Sequence, residues 1–179
     1  MLRWPRTEIE GGADVGDIDF SRYIGRVTDV GVVTVDRSTV TAFAAAVLDT
    51  NPVYRNRDAA LGAGFADVPA PPTYAFSAAQ SFDQREEEQP EDEVEGNPMA
   101  EVMGTLMASG GLILHGEQEF TYHRPVVVGD RLSHRGVVKD IYQKESGGRT
   151  MTFVVIETVY RHDDGEPALT AVMNVIHRA

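Results

Sequence analysis

The chain has 179 residues, 42% of them apolar, which is most simply one domain with a sizeable core. Its 28 acidic and 16 basic residues give a net charge of −12, which argues against a nucleic-acid partner because phosphate binding depends on concentrated positive charge. No apolar run reaches transmembrane length, and the absence of cysteine excludes disulfides, thiol catalysis and cysteine-ligated metals, so we expect a cytoplasmic protein without a membrane partner.

The first 20 residues carry acidic side chains and lack a central apolar region, so they do not resemble a secretory signal. We expect them to form a flexible lead-in to a single domain over residues 21–179. Asp36 occupies a predicted helix N-cap, and Asn51-Pro52 ends this helix because the residue before proline is pushed out of the α region. The apolar face of the helix follows the spacing i, i+3, i+4, i+7 and consists of Val40, Phe43, Ala44 and Val47.

Two further helices are predicted before residue 83. The segment RNRDAALGAGF predicts a short helix that ends at Gly62 or Gly64. The segment DVPAPPTYAFSAAQSF predicts a second helix from about Pro72 to Phe82, because proline suits only the first helical turn. This second helix is small and apolar on almost all sides, which is typical of a buried helix.

Residues 83–98 form a dense acidic stretch that predicts a solvated loop rather than a calcium site, because the alternation of calcium ligands is missing. The stretch belongs to an acidic insertion over about residues 83–111. The insertion also contains apolar residues at helical spacing, whose methionines indicate either adaptable packing or a groove for a flexible apolar ligand. These residues are Met99, Val102, Met103, Leu106 and Met107.

From Leu112 onward the apolar period is two, which predicts an α+β fold with a sheet against the buried helix. An antiparallel meander is expected, with strands over about residues 112–123, 131–142, 150–162 and 167–177. In the last strand the residues expected to point inward are Leu169, Ala171, Met173 and Val175. In the first strand one face is predicted to carry Leu112, Leu114, Phe120 and Tyr122, and the other His115, Glu117, Glu119, Thr121 and His123.

Charged residues in this second half allow two interpretations each. A polar strand face is usually only solvated, and the histidines of the first strand lack the spacing that binds metal, so we expect no metal and no cofactor. Four basic residues could form a local patch for a phosphate-bearing ligand, or could be the charges that strand edges commonly carry for solubility. They are Arg124, Arg131, Arg135 and Lys139.

Two stretches, FAAAVLDTNPVYRNRDAALGAGFADVPAPPTYAF and LHGEQEFTYHRPVVVGDRL, resemble the MaoC-like hotdog proteins, in particular the FAS1-like or N-terminal-type dehydratase domain. The resemblance covers about residues 22–179. It implies a hotdog fold, in which an antiparallel sheet wraps a long central helix and a second hotdog usually pairs with the first. It also implies reversible hydration of a 2-enoyl thioester to an (R)-3-hydroxyacyl thioester carried by CoA or acyl carrier protein.

The resemblance places the catalytic pair in DTNPVY, residues 49–54. Active members of the family carry Asp-x-Asn-Pro-x-His, and here Asp49, Asn51 and Pro52 match while Tyr54 replaces the histidine. A general base must accept a proton near neutral pH, which suits histidine with a pKa of about 6.5 and not tyrosine with a pKa of about 10. Tyr54 could still donate a hydrogen bond or orient water. In the alternative interpretation, Asp49 and Asn51 only hydrogen-bond the turn that ends the helix.

A second departure lies at the start of the central helix. Active members carry Ala-His-Gly, where a backbone N–H binds the thioester oxygen, but the matching residues here are Ala70-Pro71-Pro72. Proline has no N–H, and loss of one such donor typically costs about 10²–10³ in rate. The candidate substrate-binding residues are Asn51, Pro72, Thr73, Tyr74, Met103 and Met107.

Three hypotheses about function follow. In the first, the chain is the substrate-binding subunit of a two-chain hydratase or dehydratase, and a partner hotdog supplies the histidine. In the second, the chain is a self-sufficient hydratase or thioesterase that uses Asp49, since one fold hosts many chemistries. In the third, it binds acyl thioesters without turnover. The sequence leaves a homodimer and a heterodimer equally open, although a lone hotdog has a sheet edge that normally pairs with a second copy.

Overall fold

The computed structural model describes residues 19–80 and 96–178, and the acidic stretch predicted as a loop lies largely outside these ranges. No helix in the described ranges is long and apolar enough to cross a membrane. Short 3₁₀ turns occupy Ser21–Tyr23 and Pro52–Tyr54. The helices are α1 (Arg37–Ala46), α2 (Arg57–Gly62), α3 (Tyr74–Ala79) and α4 (Pro98–Ala108). The strands are β1 (Val27–Thr34), β2 (Leu112–Tyr122), β3 (Arg131–Ser146), β4 (Arg149–His162) and β5 (Pro167–Arg178).

The five strands form one antiparallel sheet in the order β1-β3-β4-β5-β2. The meander prediction is right for β3, β4 and β5 and wrong for β2, which pairs with β5 instead of β3. The reason is β1, a strand that the sequence analysis did not predict. Because β1 and β4 occupy both edges of β3, β2 cannot pair with β3, and it pairs with the free edge of β5.

A β-bulge at Gly116 inverts the predicted faces of β2. His115 lies opposite Val175, but Glu117 lies opposite Asn174, so one extra residue interrupts the alternation. His115 therefore shares the inner face with Phe120 and Tyr122. Leu112 and Leu114 lie on the outer face instead, where they are 57% and 42% exposed. The prediction that grouped these two leucines with Phe120 and Tyr122 is wrong, because strict alternation cannot anticipate a bulge.

The α3 helix is buried between the sheet and the surrounding helices, as predicted. Its buried side chains are Tyr74, Ala75, Ala78 and Ala79. The helix begins at Tyr74 rather than at Pro72, because Thr73 takes a left-handed conformation with φ of 70° and stands as the N-cap. Residues 81 and 82, the predicted end of the helix, lie outside the described residues. The result is the predicted α+β arrangement of an antiparallel sheet wrapped over a buried helix.

The core divides into two clusters of buried side chains. The first core cluster surrounds α3 and includes Val40, Leu132, Tyr160, Leu169 and Ala171. The second core cluster surrounds α4 and includes Tyr23, Val102, Leu106, Ile156 and Val175, with Met99, Met103 and Met173 packed against it.

The predicted start of α1 and the predicted end of α2 are confirmed, but α1 ends at Ala46 and not at Asn51-Pro52, because Leu48 takes a left-handed conformation. Asp36 is the N-cap of α1, although its side chain makes no capping hydrogen bond. The α2 helix is followed by Gly64, whose φ of +92° makes it the left-handed glycine that ends the helix. The α1 and α3 helices are joined by a hydrogen bond of 2.6 Å between the hydroxyls of Thr39 and Tyr74.

Leu48, directly before Asp49, combines two unfavourable features. Its φ of 58° lies in the left-handed region, and its side chain is 85% exposed. The turn itself is held by backbone bonds, in which the N–H groups of Leu48 and Asp49 donate to the carbonyls of Ala45 and Ala44. A left-handed conformation costs a residue with a Cβ roughly 1–2 kcal/mol, so Leu48 destabilises the isolated chain.

We predict that Leu48→Gly raises the free energy of unfolding by about 1 kcal/mol, because glycine adopts φ of 58° without a Cβ penalty. Urea denaturation of the purified chain measures this change. The control is Leu48→Ala, which removes most of the apolar side chain and retains the strained Cβ. An equal increase in the free energy of unfolding in both variants would show that Leu48 destabilises the chain through its exposed apolar side chain and not through backbone strain.

Candidate active site

The turn from Asp49 to Tyr54 is held by its own polar groups. The Asn51 N–H donates to Asp49 Oδ1 at 2.8 Å, and the Val53 N–H donates to Asn51 Oδ1 at 3.1 Å. The guanidinium of Arg55 donates to the backbone carbonyl of Asp49 at 2.5 Å. These are the hydrogen bonds of Asx residues that close a helix, so Asp49 and Asn51 have the structural role that the sequence allowed.

Tyr54 sits half-buried at the end of this turn, next to two other titratable groups. Burial is the main cause that raises the pKa of Tyr54, and the charges of Asp49 and Tyr122 raise it further. Its phenol therefore holds its proton above pH 10. In this environment Tyr54 can donate a hydrogen bond, and it cannot act as a general base near neutral pH.

The start of α3 offers few backbone donors. Pro71 and Pro72 have no N–H, and the next N–H, that of Thr73, donates to the hydroxyl of Tyr122 at 3.0 Å. The N–H of Tyr74 donates to the carbonyl of Pro71 at 3.1 Å. The position where a thioester oxygen would meet the helix N-terminus is thus served by prolines and by N–H groups that already have acceptors.

A cavity of about 270 Å³ lies between Tyr54, the start of α3 and the inner face of the sheet. Its wall is mostly apolar, and its polar groups come from the turn and from the end of β2. The lining residues are Tyr54, Phe65, Pro69, Ala70, Pro71, Pro72, Ala75, Tyr122, His123, Arg124, Pro125, Val126 and Leu169.

Three of the four residues of the predicted basic patch pair with acids. Arg124 donates to Asp164 at 2.7 Å, and this bond is the first reason why the pKa of the Asp164 carboxyl is lowered. Two other members of the predicted basic patch pair in the same way, Arg131 with Asp163 and Lys139 with Glu157. These three therefore do not form a free patch for phosphate. Among the described residues, no group of three histidines or acids could hold a metal ion.

The structure separates the predicted site residues into two groups. Tyr54 and Pro72 line the cavity, and Asn51 and Thr73 lie close to these two residues in sequence. The charge of Asp49 raises the pKa of Tyr54. Tyr74 points away from the cavity, towards Phe43 and Thr39 on α1. On α4, Met103 packs into the second core cluster, and Met107 is 68% exposed; neither of them lines the cavity.

Sequence reasoning missed Tyr122 as a residue of this site. It was predicted as an apolar-face residue of β2, and in the structure its hydroxyl binds the start of α3 while its ring lines the cavity. A signal was present, since a tyrosine that ends a strand beside His-Arg-Pro brings a hydroxyl to the sheet edge. The contact itself joins residues 73 and 122, which only the fold brings together.

The sequence model of the FAS1-like, dehydratase domain region matches residues 22–171, and the chain belongs to this family. Proteins of Streptomyces avermitilis and Saccharopolyspora erythraea, both named UPF0336 protein, are 34% and 32% identical to it over 146 and 144 residues. The alignments cover 81% and 80% of this chain, and 85% and 81% of the two relatives.

Solved structures share the fold. The ChsH1-ChsH2 complex from Mycobacterium tuberculosis contains a chain that is 20% identical with a TM-score of 0.69, over 84% of this chain and 83% of that one. The C-terminally truncated HadBC (3R-hydroxyacyl-ACP dehydratase) complex from the same organism contains a chain that is 21% identical with a TM-score of 0.59. This match covers 84% of this chain and 96% of that one. The (R)-hydratase from A. caviae is 17% identical with a TM-score of 0.52, and the match covers 90% of this chain and 98% of that one. The predicted hotdog fold is thereby confirmed.

We predict that Tyr122→Phe accelerates hydrogen exchange of the Thr73 amide by up to roughly tenfold, because a typical hydrogen bond contributes about 1 kcal/mol and here its acceptor is removed. Amide exchange followed by NMR measures the rate. Tyr54→Phe serves as the matched control, since it removes a hydroxyl from the same cavity and leaves the Thr73 bond in place. An unchanged rate in Tyr122→Phe would mean that this bond does not hold the start of α3.

Proposed function

We propose that this chain is the substrate-binding subunit of an (R)-specific 2-enoyl-thioester hydratase, or 3-hydroxyacyl-thioester dehydratase, whose catalytic histidine comes from a partner hotdog chain. The observation that carries the proposal is Tyr54. It stands in the position where the family carries histidine, and its pKa is raised further from neutrality by burial and by Asp49. A chain with tyrosine at this position lacks the base of the family's catalytic pair.

The chemistry explains why this residue decides between subunit and complete enzyme. In hydration, the oxygen of water bonds to C3 of the enoyl group as a base removes the water proton. A proton is then delivered to C2, and the thioester oxygen carries negative charge in between. A base is needed for the first step and N–H donors for the charge. This chain has a protonated phenol at the first place, and two prolines with an occupied N–H at the second.

The cavity supports a thioester as ligand. Its mostly apolar wall suits an acyl chain, and His123 and Arg124 at the end of β2 bring polar and positive groups to its rim. The salt bridge between Arg124 and Asp164 is exposed, so a phosphate can compete for the arginine at modest cost. We propose a thioester of CoA or acyl carrier protein, used in fatty-acid metabolism, as the bound molecule.

The partner is proposed from the edge of the sheet. The β2 strand has 11 residues and ends the sheet, so one side of its backbone has no neighbouring strand among the described residues. It also exposes apolar side chains, with Leu112 57%, Leu114 42% and Tyr122 49% exposed. A long apolar edge strand favours pairing with another strand. Two of the solved structures with this fold, ChsH1-ChsH2 and HadBC, are themselves complexes of two named proteins.

The remaining parts of the proposal concern the whole chain. We place a single hotdog domain at residues 21–179, preceded by a lead-in of 20 residues, and we propose that the complex works in the cytoplasm. The competing function is a self-sufficient hydratase or thioesterase in which Asp49 acts as the base. The hydrogen bond from the Asn51 N–H to Asp49 Oδ1 argues against it, because it commits that carboxylate oxygen to the turn.

We predict that the purified chain alone does not hydrate 2-enoyl-CoA substrates, measured as loss of the conjugated enoyl-thioester absorbance with short and long acyl chains. Turnover should appear when the chain is co-purified with a hotdog partner that carries Asp-x-Asn-Pro-x-His. Asp49→Ala should leave the activity of that complex within about threefold, because the partner supplies the base.

The matched variant for this assay is Tyr54→His, which restores the family pair in this chain. General-base catalysis contributes about 10²–10⁴-fold, so a low activity should become detectable in the chain alone, limited by the prolines at the start of α3. Robust turnover by the unmodified chain, abolished by Asp49→Ala, would refute the subunit proposal in favour of a complete enzyme.

We predict that Leu114→Lys weakens association with the partner by at least tenfold, because a charge on an edge strand opposes edge-to-edge pairing. Sedimentation and co-purification measure the effect. Leu61→Lys in α2 is the matched control, since Leu61 is also 42% exposed and lies away from the sheet edge. Equal effects of the two substitutions would exclude β2 as the specific interface.

A further inference from the structure

A second cavity, of about 260 Å³, separates the two core clusters. On one side it meets Ala79 and Ala171 of the first core cluster, and on the other Met99, Ile156 and Met173, which belong to or pack against the second. Polar side chains also line this cavity. These polar residues are Thr28, Asp29, Gln80, Asn97, Gln118, Thr158 and Tyr160, and we call this space the polar chamber.

Two glycines in the sheet make room for the polar groups of the chamber. A Cβ on Gly136 would lie 2.5 Å from the hydroxyl of Thr28 and 3.1 Å from that of Thr158. A Cβ on Gly31 would lie 2.7 Å from the ring of His134, which is buried behind Asp29. Any larger residue at either glycine would displace one of these side chains, so the strands are shaped around the polar cluster.

One buried acceptor in the polar chamber has no donor. The Gln118 amide nitrogen donates to the Val172 carbonyl at 3.2 Å, while its Oε1 is buried without a hydrogen-bond partner. Asp29 lies 2.9 Å from Nε2 of the buried His134, and its carboxyl remains 37% exposed. Burial and the Asp29 charge raise the pKa of Tyr160, which keeps its hydroxyl protonated. An unsatisfied buried acceptor costs about 1–3 kcal/mol, and a ligand that donates a hydrogen bond removes that cost.

The polar chamber neighbours the candidate active site along α3 and β2. Both cavities lie between α3 and the inner face of β5 and β2, and their helix contacts, Ala75 and Ala79, are one turn apart. On β2, Tyr122 lines the first cavity and Gln118 the second, and Phe120 lies between them. Phe120 meets Phe76 of α3 edge to face, with ring centres 6.2 Å apart. The Phe76–Phe120 pair thus lies between the two cavities along α3 and β2.

We propose that the polar chamber receives the far end of the acyl chain bound in the candidate active site and selects chains that carry a hydroxyl group there. This inference rests on the proposed function, since it names the substrate class of the same site. The apolar residues of the chamber, including Phe76, Met99 and Met173, pack against the methylenes, and the hydroxyl donates to Gln118 Oε1.

The test compares two saturated thioester series, alkanoyl-CoA and ω-hydroxyalkanoyl-CoA from six to twelve carbons, which bind without turnover. Titration calorimetry is done with the full chain, alone and in the co-purified complex. For at least one chain length, the hydroxylated thioester should bind roughly three- to tenfold tighter, as expected for one added hydrogen bond to an unsatisfied acceptor.

Three variants connect this preference to the polar chamber. Gln118→Met removes the acceptor at similar volume and should abolish the preference while leaving binding of the plain chain unchanged. Thr158→Val is nearly isosteric and should reduce the preference for the hydroxylated thioester. It replaces Gln118→Met as the test if that variant does not fold. Gln143→Met, a matched change at an exposed residue of β3, should leave the preference intact.

The outcomes separate this inference from the proposed function. Equal binding of the two series would overturn the polar chamber as a selective site and leave thioester binding in place, with only water in the chamber. A preference that survives both Gln118→Met and Thr158→Val would place the selecting group elsewhere and equally overturn the inference. Absence of binding by either series, alone and in the complex, would overturn the proposed function together with the inference.

Discussion

The small side chains of α3 are the constraint on which the rest of the structure depends. Ala75, Ala78 and Ala79 let the sheet approach the helix closely, and their methyl groups fill little of the space between them. The larger residues of the sheet close the centre of this layer, while a cavity is left near each end of the helix. A helix rich in leucine would have filled both cavities and given a more stable core with no room for a ligand.

Periodicity predicted the extent of most elements, and some boundaries have a local chemical cause. ESGGR and HDDGE turn one strand into the next, whereas α1 ends at Ala46, before Asn51-Pro52. What could not be predicted depends on pairing between distant strands. The β1 strand contains Gly31, which is explained only by the ring of His134 packed over it. At the bulge, a Cβ on Gly116 would collide with Ile176 of β5, so the need for glycine there depends on a distant strand.

The candidate site shows the same division between local and long-range information. Tyr54 and the two prolines could be recognised in the sequence because each departure changes the chemistry of one residue in a known pattern. The Thr73–Tyr122 bond joins residues 49 positions apart, and the Asp29–His134 pair joins residues 105 positions apart. Tyr74 was misplaced for a related reason, since helix position does not reveal that Thr39 of α1 supplies its hydroxyl with a partner.

The division of the core into two clusters has a consequence for how the molecule opens. The first core cluster holds α1, α2 and α3 against one half of the sheet, and the second holds α4 and the turn at Ser21–Tyr23 against the other half. With a polar space between them, the two halves are coupled mainly through the strands, so we expect them to open as separate units. Occupation of that space by an apolar chain would join the units, and opening of the α4 half would then require release of the chain.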